Sequence, residues 1–262
     1  MKLFFILIIS TLFYSCRKDN LKNQYDVIVV AGQSNNYFGY DVSETTKIYS
    51  DKILQLGRKD STNLKIISTD EELHHYSSDN NNGGYAMTFA NSYVKQKLKK
   101  NRKVLLIPCA RFGTSFINNN WNKGDKYYND AIMRIKYVLN KFPNSKLTCI
   151  LWHQGESDEG NHSYQSNLDT FITNFRKDLI LPNTPFICGG MVPYWTKQNQ
   201  NRITIQNIIE NTPNRLPFIG YASPYLPFII NKKDDSENSV HYNAVGLVEL
   251  GHRYFNSFLN LN

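Results

Sequence analysis

Cysteine is scarce in this chain, four residues in 262. Cys16 closes an N-terminal apolar stretch, and the other three, Cys109, Cys149 and Cys188, are odd in number and each lie in or at the end of an apolar, strand-like run. Such placement argues against the disulfide framework of small secreted scaffolds and points to buried free thiols. Thiols held on strands also lack the ligand spacing of a metal site, so no metal is expected. Apolar runs long enough to span a bilayer are missing as well. The N-terminal one, Leu3 to Phe13, falls short of the roughly 20 residues that a spanning helix needs. Acidic residues are outnumbered, 22 against 30 basic, yet the basic ones are scattered, usually beside Asn or Asp, and form no long block. That pattern argues against a nucleic-acid partner and for a solvated basic surface. No internal repeat or long linker interrupts the chain, which leaves one compact domain as the expectation.

What stands at the N-terminus has the form of a targeting signal. Lys2 precedes the apolar run, and Tyr14-Ser15-Cys16 is followed at once by the polar Arg17-Lys18-Asp19-Asn20. The run suits the h-region of an export signal. The small Ser15 before Cys16 resembles a bacterial lipoprotein cleavage site, although Phe13 and Tyr14 are bulkier than is usual there. The expectation is a lipoprotein signal over 1–15, a short tether over 16–24 that starts at a lipidated Cys16, and a domain over 25–262. The protein would then be exported and held at the membrane by its N-terminal lipid, on the periplasmic side or the cell surface.

With 41% hydrophobic residues, 17 Tyr and 15 Phe, the chain can bury a substantial core. Short β-branched runs recur at Val27 to Ala31, Leu64 to Ser68, Val104 to Pro108, Leu147 to Trp152, Pro185 to Met191 and Leu216 to Tyr221. Between most of them lie stripes with helical spacing: Ala86, Phe89, Ala90 and Tyr93; Ala131, Ile135, Val138 and Phe142; Leu168, Phe171, Ile172 and Phe175. The last segment, Asn243 to Leu259, reads as a helix with Asn243 as its N-cap. Strand and helix in alternation predict an α/β fold with a parallel sheet covered on both faces. The polar stretches 70–82, 118–125 and 231–239 read as surface loops.

Functional loops in open α/β sheets gather at the carboxyl ends of the strands. After the first strand comes Gly32-Gln33-Ser34-Asn35, a corner that would present a serine hydroxyl beside the free N–H groups of a helix start, where a developing oxyanion could sit. The same four residues also suit a plain turn with a cap. After the strand Leu147 to Leu151 comes Trp152-His153-Gln154-Gly155-Glu156-Ser157-Asp158, whose polar side chains are costly to bury alone and are expected to line a wet cleft; Asp158 suits a helix cap equally well. Asn238-Ser239-Val240-His241-Tyr242-Asn243 leads into the last helix and supplies an imidazole, the side chain whose proton moves near neutral pH and which a serine nucleophile needs as general base. His74, His75, His162 and His252 read as surface or packing residues.

These blocks, with the helix start at Gly84, Phe89-Ala90 and the run Ile107-Pro108-Cys109-Ala110-Arg111-Phe112-Gly113-Thr114-Ser115, occur in one order. Together they resemble the SGNH-hydrolase superfamily, in particular its branch of sialic-acid-specific acetylesterases and acetylxylan esterases, carbohydrate esterase family six. The resemblance covers nearly all of the chain after the signal, and HQGESD is its most specific part. It implies a three-layer, flavodoxin-like domain with a central parallel sheet. It also implies a cofactor-free serine esterase that removes O-acetyl groups from carbohydrates, such as acetylated xylan or O-acetyl sialic acid, through an acetyl-enzyme intermediate. Carried over by position, Ser34 is the nucleophile and His241 the base. The Ser34 amide, the Gly84 amide and the Gln154 side chain would hold the oxyanion, while Gly113 to Ser115 shape the cleft.

One position departs from the pattern. Many superfamily members carry aspartate three residues before the histidine, where this chain has Asn238. An amide can accept from an imidazole but cannot stabilise its positive charge, and the Asp-to-Asn change in a serine protease triad costs about 10⁴-fold. The resemblance allows Glu156 to serve as the acid instead, with Asp235 and Glu237 as alternatives. Asn238 also motivates a rival from another class, a glycan-binding lipoprotein of the same fold that has lost the chemistry. A sialic acid would call for a cation opposite its carboxylate. Arg111 is the candidate, with an ordinary pairing to a loop carboxylate as the alternative; Asn35, beside the serine, is a second candidate substrate contact. A neutral xylan needs no such cation.

Overall fold

The run YDVIVVAG forms β1 (Tyr25–Gly32) and is buried along its whole length, as a strand covered on both faces must be. The computed structural model describes residues 24–36, 50–69, 73–76, 84–230 and 239–261. The signal, Cys16, Asn238 and the candidate acids Asp235 and Glu237 lie outside the described residues. On either side of β1, and parallel to it, run β4 (Lys103–Pro108) and β5 (Lys146–His153). With β2 (Ile53–Leu56), β3 (Ile66–Ser68), β6 (Phe186–Gly189) and β7 (Ile219–Ala222), they make a seven-stranded sheet in the order β3-β2-β4-β1-β5-β6-β7. Among its pairs only β2 with β3 is antiparallel.

Two helix layers close the faces. In one, α1 (Tyr85–Gln96) packs on α7 (Ala244–Leu259), with Phe89 edge-on to Phe255 and Phe258 and Tyr85 stacked on Tyr254 at 4.2 Å. In the other, α2 (Lys126–Lys141) meets α3 (Tyr164–Leu179) through Tyr128, Phe171 and Phe175. Trp152 at the end of β5 lies 4.5 Å from the Phe171 ring and 5.1 Å from Trp121. Such offset and edge-on aromatic pairs add to the area that they bury. The fold is the three-layer α/β domain that the pattern implied.

β1 carries one acid, and it is buried. Asp26 accepts from Tyr93 Oη at 2.6 Å and is paired with Arg102, whose guanidinium also donates to the carbonyls of Tyr25 and Asn144. The start of β1, the helix α1 and the strand β4 are thereby joined around a single carboxylate.

Several elements were not expected. β2, ILQL, is only four residues long and has a polar Gln55 at its centre, which breaks the apolar run. Gln55 is buried because its amide donates to Ser68 O and accepts from His74 N. Three helices between β6 and β7 were also missed: α4 (Pro193–Lys197), α5 (Gln200–Glu210) and α6 (Thr212–Arg215). α5 reads QNRITIQNIIE, rich in β-branched residues and Asn that are weak helix formers. Burial of Ile205, Gln206 and Ile209 decides in favour of helix. A local signal did exist, since Asn199 caps α5 by accepting from Asn201 N at 2.8 Å. The strand expected from Leu216 begins only at Ile219, after Pro217, which has no N–H to give to a ladder.

Candidate active site

The end of β1 is docked closely onto the end of β5 at the His153 carbonyl. Gly32 has φ of 118°, and a Cβ there would overlap the carbonyl oxygen of His153. The next N–H, that of Gln33, donates to this same oxygen at 2.8 Å. The chain then turns through a short 3-10 helix, Ser34–Asn36. Asn36 pins the turn by donating to Gln33 O and His153 O, and it receives the Tyr85 hydroxyl at 2.7 Å. Ser34 therefore sits on a corner with no rotational slack, and its N–H has no acceptor among the described residues.

His241 arrives from the other end of the chain. Asn243 caps α7 by accepting from Gly246 N at 2.8 Å, which sets where the helix starts, and the residues before it lead back over the sheet edge. His241 Nε2 lies 2.9 Å from Ser34 Oγ, across 207 positions of sequence. For the hydroxyl to donate to Nε2, that nitrogen must be bare and the ring proton must be on Nδ1.

Glu156 follows β5 in a 3-10 turn, Glu156–Asp158, after Gly155 at φ 152°. Its Oε1 accepts from Asn35 Nδ2 at 2.6 Å and lies 3.2 Å from His153 Nε2. Burial raises the carboxyl, but the His153 ring, the residue's own backbone and the Asn35 amide outweigh burial and hold it below the ordinary carboxylate value. Glu156 and His241 share no hydrogen bond or ion contact among the described residues. The direct triad contact expected between them is absent from this structure, and Asn35 stands between.

Three other expectations are corrected by burial. Asn35, a candidate substrate contact, is fully buried. Its amide donates to Glu156 and to Val240 O, and its oxygen accepts from Tyr242 N at 3.1 Å, so no group is left for a sugar. Gln154, a candidate oxyanion donor, is also fully buried. Its nitrogen is turned to Asp158 Oδ2 at 2.6 Å, with Thr114 O at 3.3 Å and Gln33 Oε1 at 3.4 Å, three acceptors that take up both of its hydrogens. The HQGESD block as a whole lines no wet cleft, since His153, Gln154, Glu156 and Asp158 are all buried. Gln154 donates to Asp158 and Glu156 accepts from Asn35, while His153 Nε2, Gln154 Oε1 and Glu156 Oε2 have no hydrogen-bond partner among the described residues.

Asp158, expected as a possible helix cap, ties a different loop. It accepts from Phe116 N, Ile117 N and Asn161 Nδ2 and so fastens the segment after β4 to the end of β5. Within that segment Thr114 Oγ1 donates to Arg111 O and receives the Trp121 indole at 2.8 Å. Arg111 itself is half-buried, and its N–H donates to Gly32 O at 3.0 Å, which sets it beside the serine corner. Its guanidinium makes no hydrogen bond or ion pair among the described residues, unlike that of each other described arginine. Gly84 is buried at the start of α1 with φ −115° and ψ 172°.

Reading the sequence missed His153 and the structural use of Asn35. The signal was available: four polar residues directly after a buried strand require partners, and the nearest polar residues at the neighbouring strand end are Gln33, Ser34 and Asn35.

The family model described as carbohydrate esterase, sialic acid-specific acetylesterase matches residues 24–260. A probable carbohydrate esterase of Arabidopsis thaliana is 33% identical over 136 residues, 48% of this chain and 50% of that protein. A probable 9-O-acetyl-N-acetylneuraminic acid deacetylase of Escherichia coli K12 is 26% identical over 157 residues, 48% of each. The chain spans about half the length of these curated relatives. Among solved structures, NanS superposes with a TM-score of 0.76 at 20% identity, covering 91% of this chain and 98% of that one. A carbohydrate acetylesterase from Xanthomonas citri superposes with 0.66 at 14%, covering 90% and 56%. At these identities the two structures share the fold.

Proposed function

We propose, from the premise that this chain belongs to the carbohydrate esterase family of sialic acid-specific acetylesterases, that it is a serine esterase removing O-acetyl groups from carbohydrates. The observation that carries this reading is the 2.9 Å contact of His241 Nε2 with Ser34 Oγ, on a serine whose N–H has no acceptor among the described residues. His241 takes the Ser34 proton as Oγ attacks the acetyl carbonyl, and the oxyanion is held by the N–H groups of Ser34 and Gly84. The imidazolium returns its proton to the leaving sugar oxygen, which frees the alcohol and leaves Ser34 acetylated. Water then enters, loses a proton to His241 and attacks the ester; the Oγ–acyl bond breaks, the imidazolium returns its proton to Ser34 Oγ, and acetate is released. No step requires a group from outside the chain. Gln154 drops out of the oxyanion set because its donors are engaged elsewhere.

The same geometry favours the esterase over a binding protein of this fold, since a sugar-binding surface needs no serine and histidine in line. Purified protein should hydrolyse 4-nitrophenyl acetate and acetylated sugars with EDTA present, and Ser34→Ala should reduce turnover to background. Full activity in Ser34→Ala would end the proposal.

For the sugar, we favour an anionic one, O-acetyl sialic acid, on the strength of the unpaired Arg111 beside the serine corner and of the relative described as a 9-O-acetyl-N-acetylneuraminic acid deacetylase. Arg111→Ala should raise KM for O-acetyl sialic acid about tenfold or more, the scale of a lost charge-assisted hydrogen bond, and leave acetylated xylose unaffected. Equal loss on both sugars would point to a neutral glycan. We also propose that Cys16 is lipidated and holds the exported enzyme at the membrane, as the Ser15-Cys16 junction suggests. Cys16→Ser should then release it from the membrane fraction.

A further inference from the structure

We propose that Asn35 is the positioning residue for His241, and that Glu156, with His153 behind it, serves the reaction through Asn35 and not by touching the imidazole. This inference rests on the esterase reading above. One carboxamide grips the chain on both sides of the base: Asn35 Nδ2 donates to Val240 O at 3.0 Å, and Tyr242 N donates to Asn35 Oδ1 at 3.1 Å. Asn35 is also the residue after Ser34. Nucleophile and base holder are therefore adjacent in the chain, and the Oγ to Nε2 distance is set within one rigid 3-10 turn.

A carboxamide can be placed either way round, and only one way serves here. Glu156 selects it. With its oxygen toward Tyr242 N–H, the second hydrogen of Nδ2 meets Glu156 Oε1 at 2.6 Å, a charge-assisted bond of the stronger kind. Reversed, the amide oxygen would face a carboxylate and a carbonyl. Glu156 in turn lies against His153. Tyr254 gives its hydroxyl hydrogen to Trp152 O at 2.8 Å, so the 3.2 Å contact between Tyr254 Oη and His153 Nδ1 needs the ring to donate. The other ring nitrogen lies 3.2 Å from Glu156 Oε1, a contact without hydrogen-bond geometry. Tyr254, His153, Glu156 and Asn35 thus lie in contact one after another, and the hydrogen bonds of Asn35 end on the backbone either side of His241.

Two near-isosteric variants separate this role from that of a triad acid. Glu156→Gln keeps an oxygen for Asn35 to donate to, so its kcat should stay within about tenfold of the parent. Loss of a carboxylate acting directly on the imidazole would instead cost about 10⁴-fold. Asn35→Asp keeps the acceptor for Tyr242 N–H but sets an oxygen against Glu156 and Val240 O. Its kcat should fall by about 10²-fold, with KM changed less than about threefold, since substrate contacts are untouched. The double variant Asn35→Asp/Glu156→Gln restores the bond with donor and acceptor exchanged and should recover about tenfold of that loss, which general destabilisation would not do. A Glu156→Gln protein as inactive as Glu156→Ala, or an Asn35→Asp protein as active as the parent, would overturn the proposal. Should Asn35→Asp fail to fold, Glu156→Gln alone decides. Hydrogen exchange at the Tyr242 amide, expected to quicken at least tenfold in Asn35→Ala, reads the bracing even if the parent proves to have no esterase activity. Unchanged exchange there would also overturn it.

Discussion

His75 shows what one buried side chain does to acid tolerance. Its Nδ1 accepts from Ala110 N at 3.1 Å. Burial, with help from the charges of Arg58 and His74, pushes its pKa down to about 3. An unfolded chain takes up this proton near pH 6.5, whereas the folded one waits until about 3. The folded state therefore loses ground as pH falls through that window, by up to about 1.4 kcal/mol per pH unit, and nothing is lost above it. His75→Asn, which keeps an acceptor and has no proton to take up, should flatten the acid side of a stability profile measured by urea unfolding from pH 7 to 3.5. Gly32 shows the backbone version of such dependence. Its positive φ and its contact with His153 O leave no room for a Cβ. Gly32→Ala is expected to cost about 1–3 kcal/mol through strain. Its turnover should fall further than its melting temperature implies, because the serine corner moves with it.

At the scale of elements, the start of β1 is tied through Asp26, which pairs with Arg102 and, at 3.8 Å, with the exposed Lys146. Asp26 is almost fully buried, and Arg102 joins it to the carbonyls of Tyr25 and Asn144. Removing Arg102 leaves the buried charge with only the Tyr93 hydroxyl and the more distant Lys146, so Arg102→Ala is expected to destabilise the protein by about 3 kcal/mol, read from denaturant midpoints. A loss below about 1 kcal/mol would mean that Tyr93 and Lys146 suffice for Asp26. The elements also show why sequence patterns are uneven guides. β1, β4 and β5 each carry an apolar run through their centres, and α7 is bounded by a capping Asn243, so all four were legible. β2 and α5 were not, because Gln55 interrupts one and weak helix formers fill the other. Their states are set by what they pack on, which local propensity does not contain.

At the scale of the whole molecule, the three described thiols report on global integrity. Cys109, Cys149 and Cys188 are free and buried, and burial pushes Cys109 and Cys188 up to about 12. Since thiolates are the reactive form, a thiol reagent at pH 8 should leave them unmodified in the native protein and label them at the rate of unfolding when denaturant is added. Mass spectrometry of Cys109, Cys149 and Cys188 peptides would check this. Rapid labelling of any of them without denaturant would show that its surroundings open locally.

What the sequence determined by itself was the alternation of strand and helix, and with it a sheet whose strand ends carry Gln33 to Asn36, the HQGESD block and the run before α7. Those are local properties of period, capping and residue type. Which of these side chains meet was decided only by tertiary structure. The sheet order places β1 beside β5, and their polar ends interlock, so Gln154 and Asn35 are buried in hydrogen bonds and do not face a substrate. Glu156 is drawn to His153 and Asn35, and Ser34 is left to His241. A buried polar group takes whichever partner the packing brings within about 3 Å, and that distance exists only after the chain has folded.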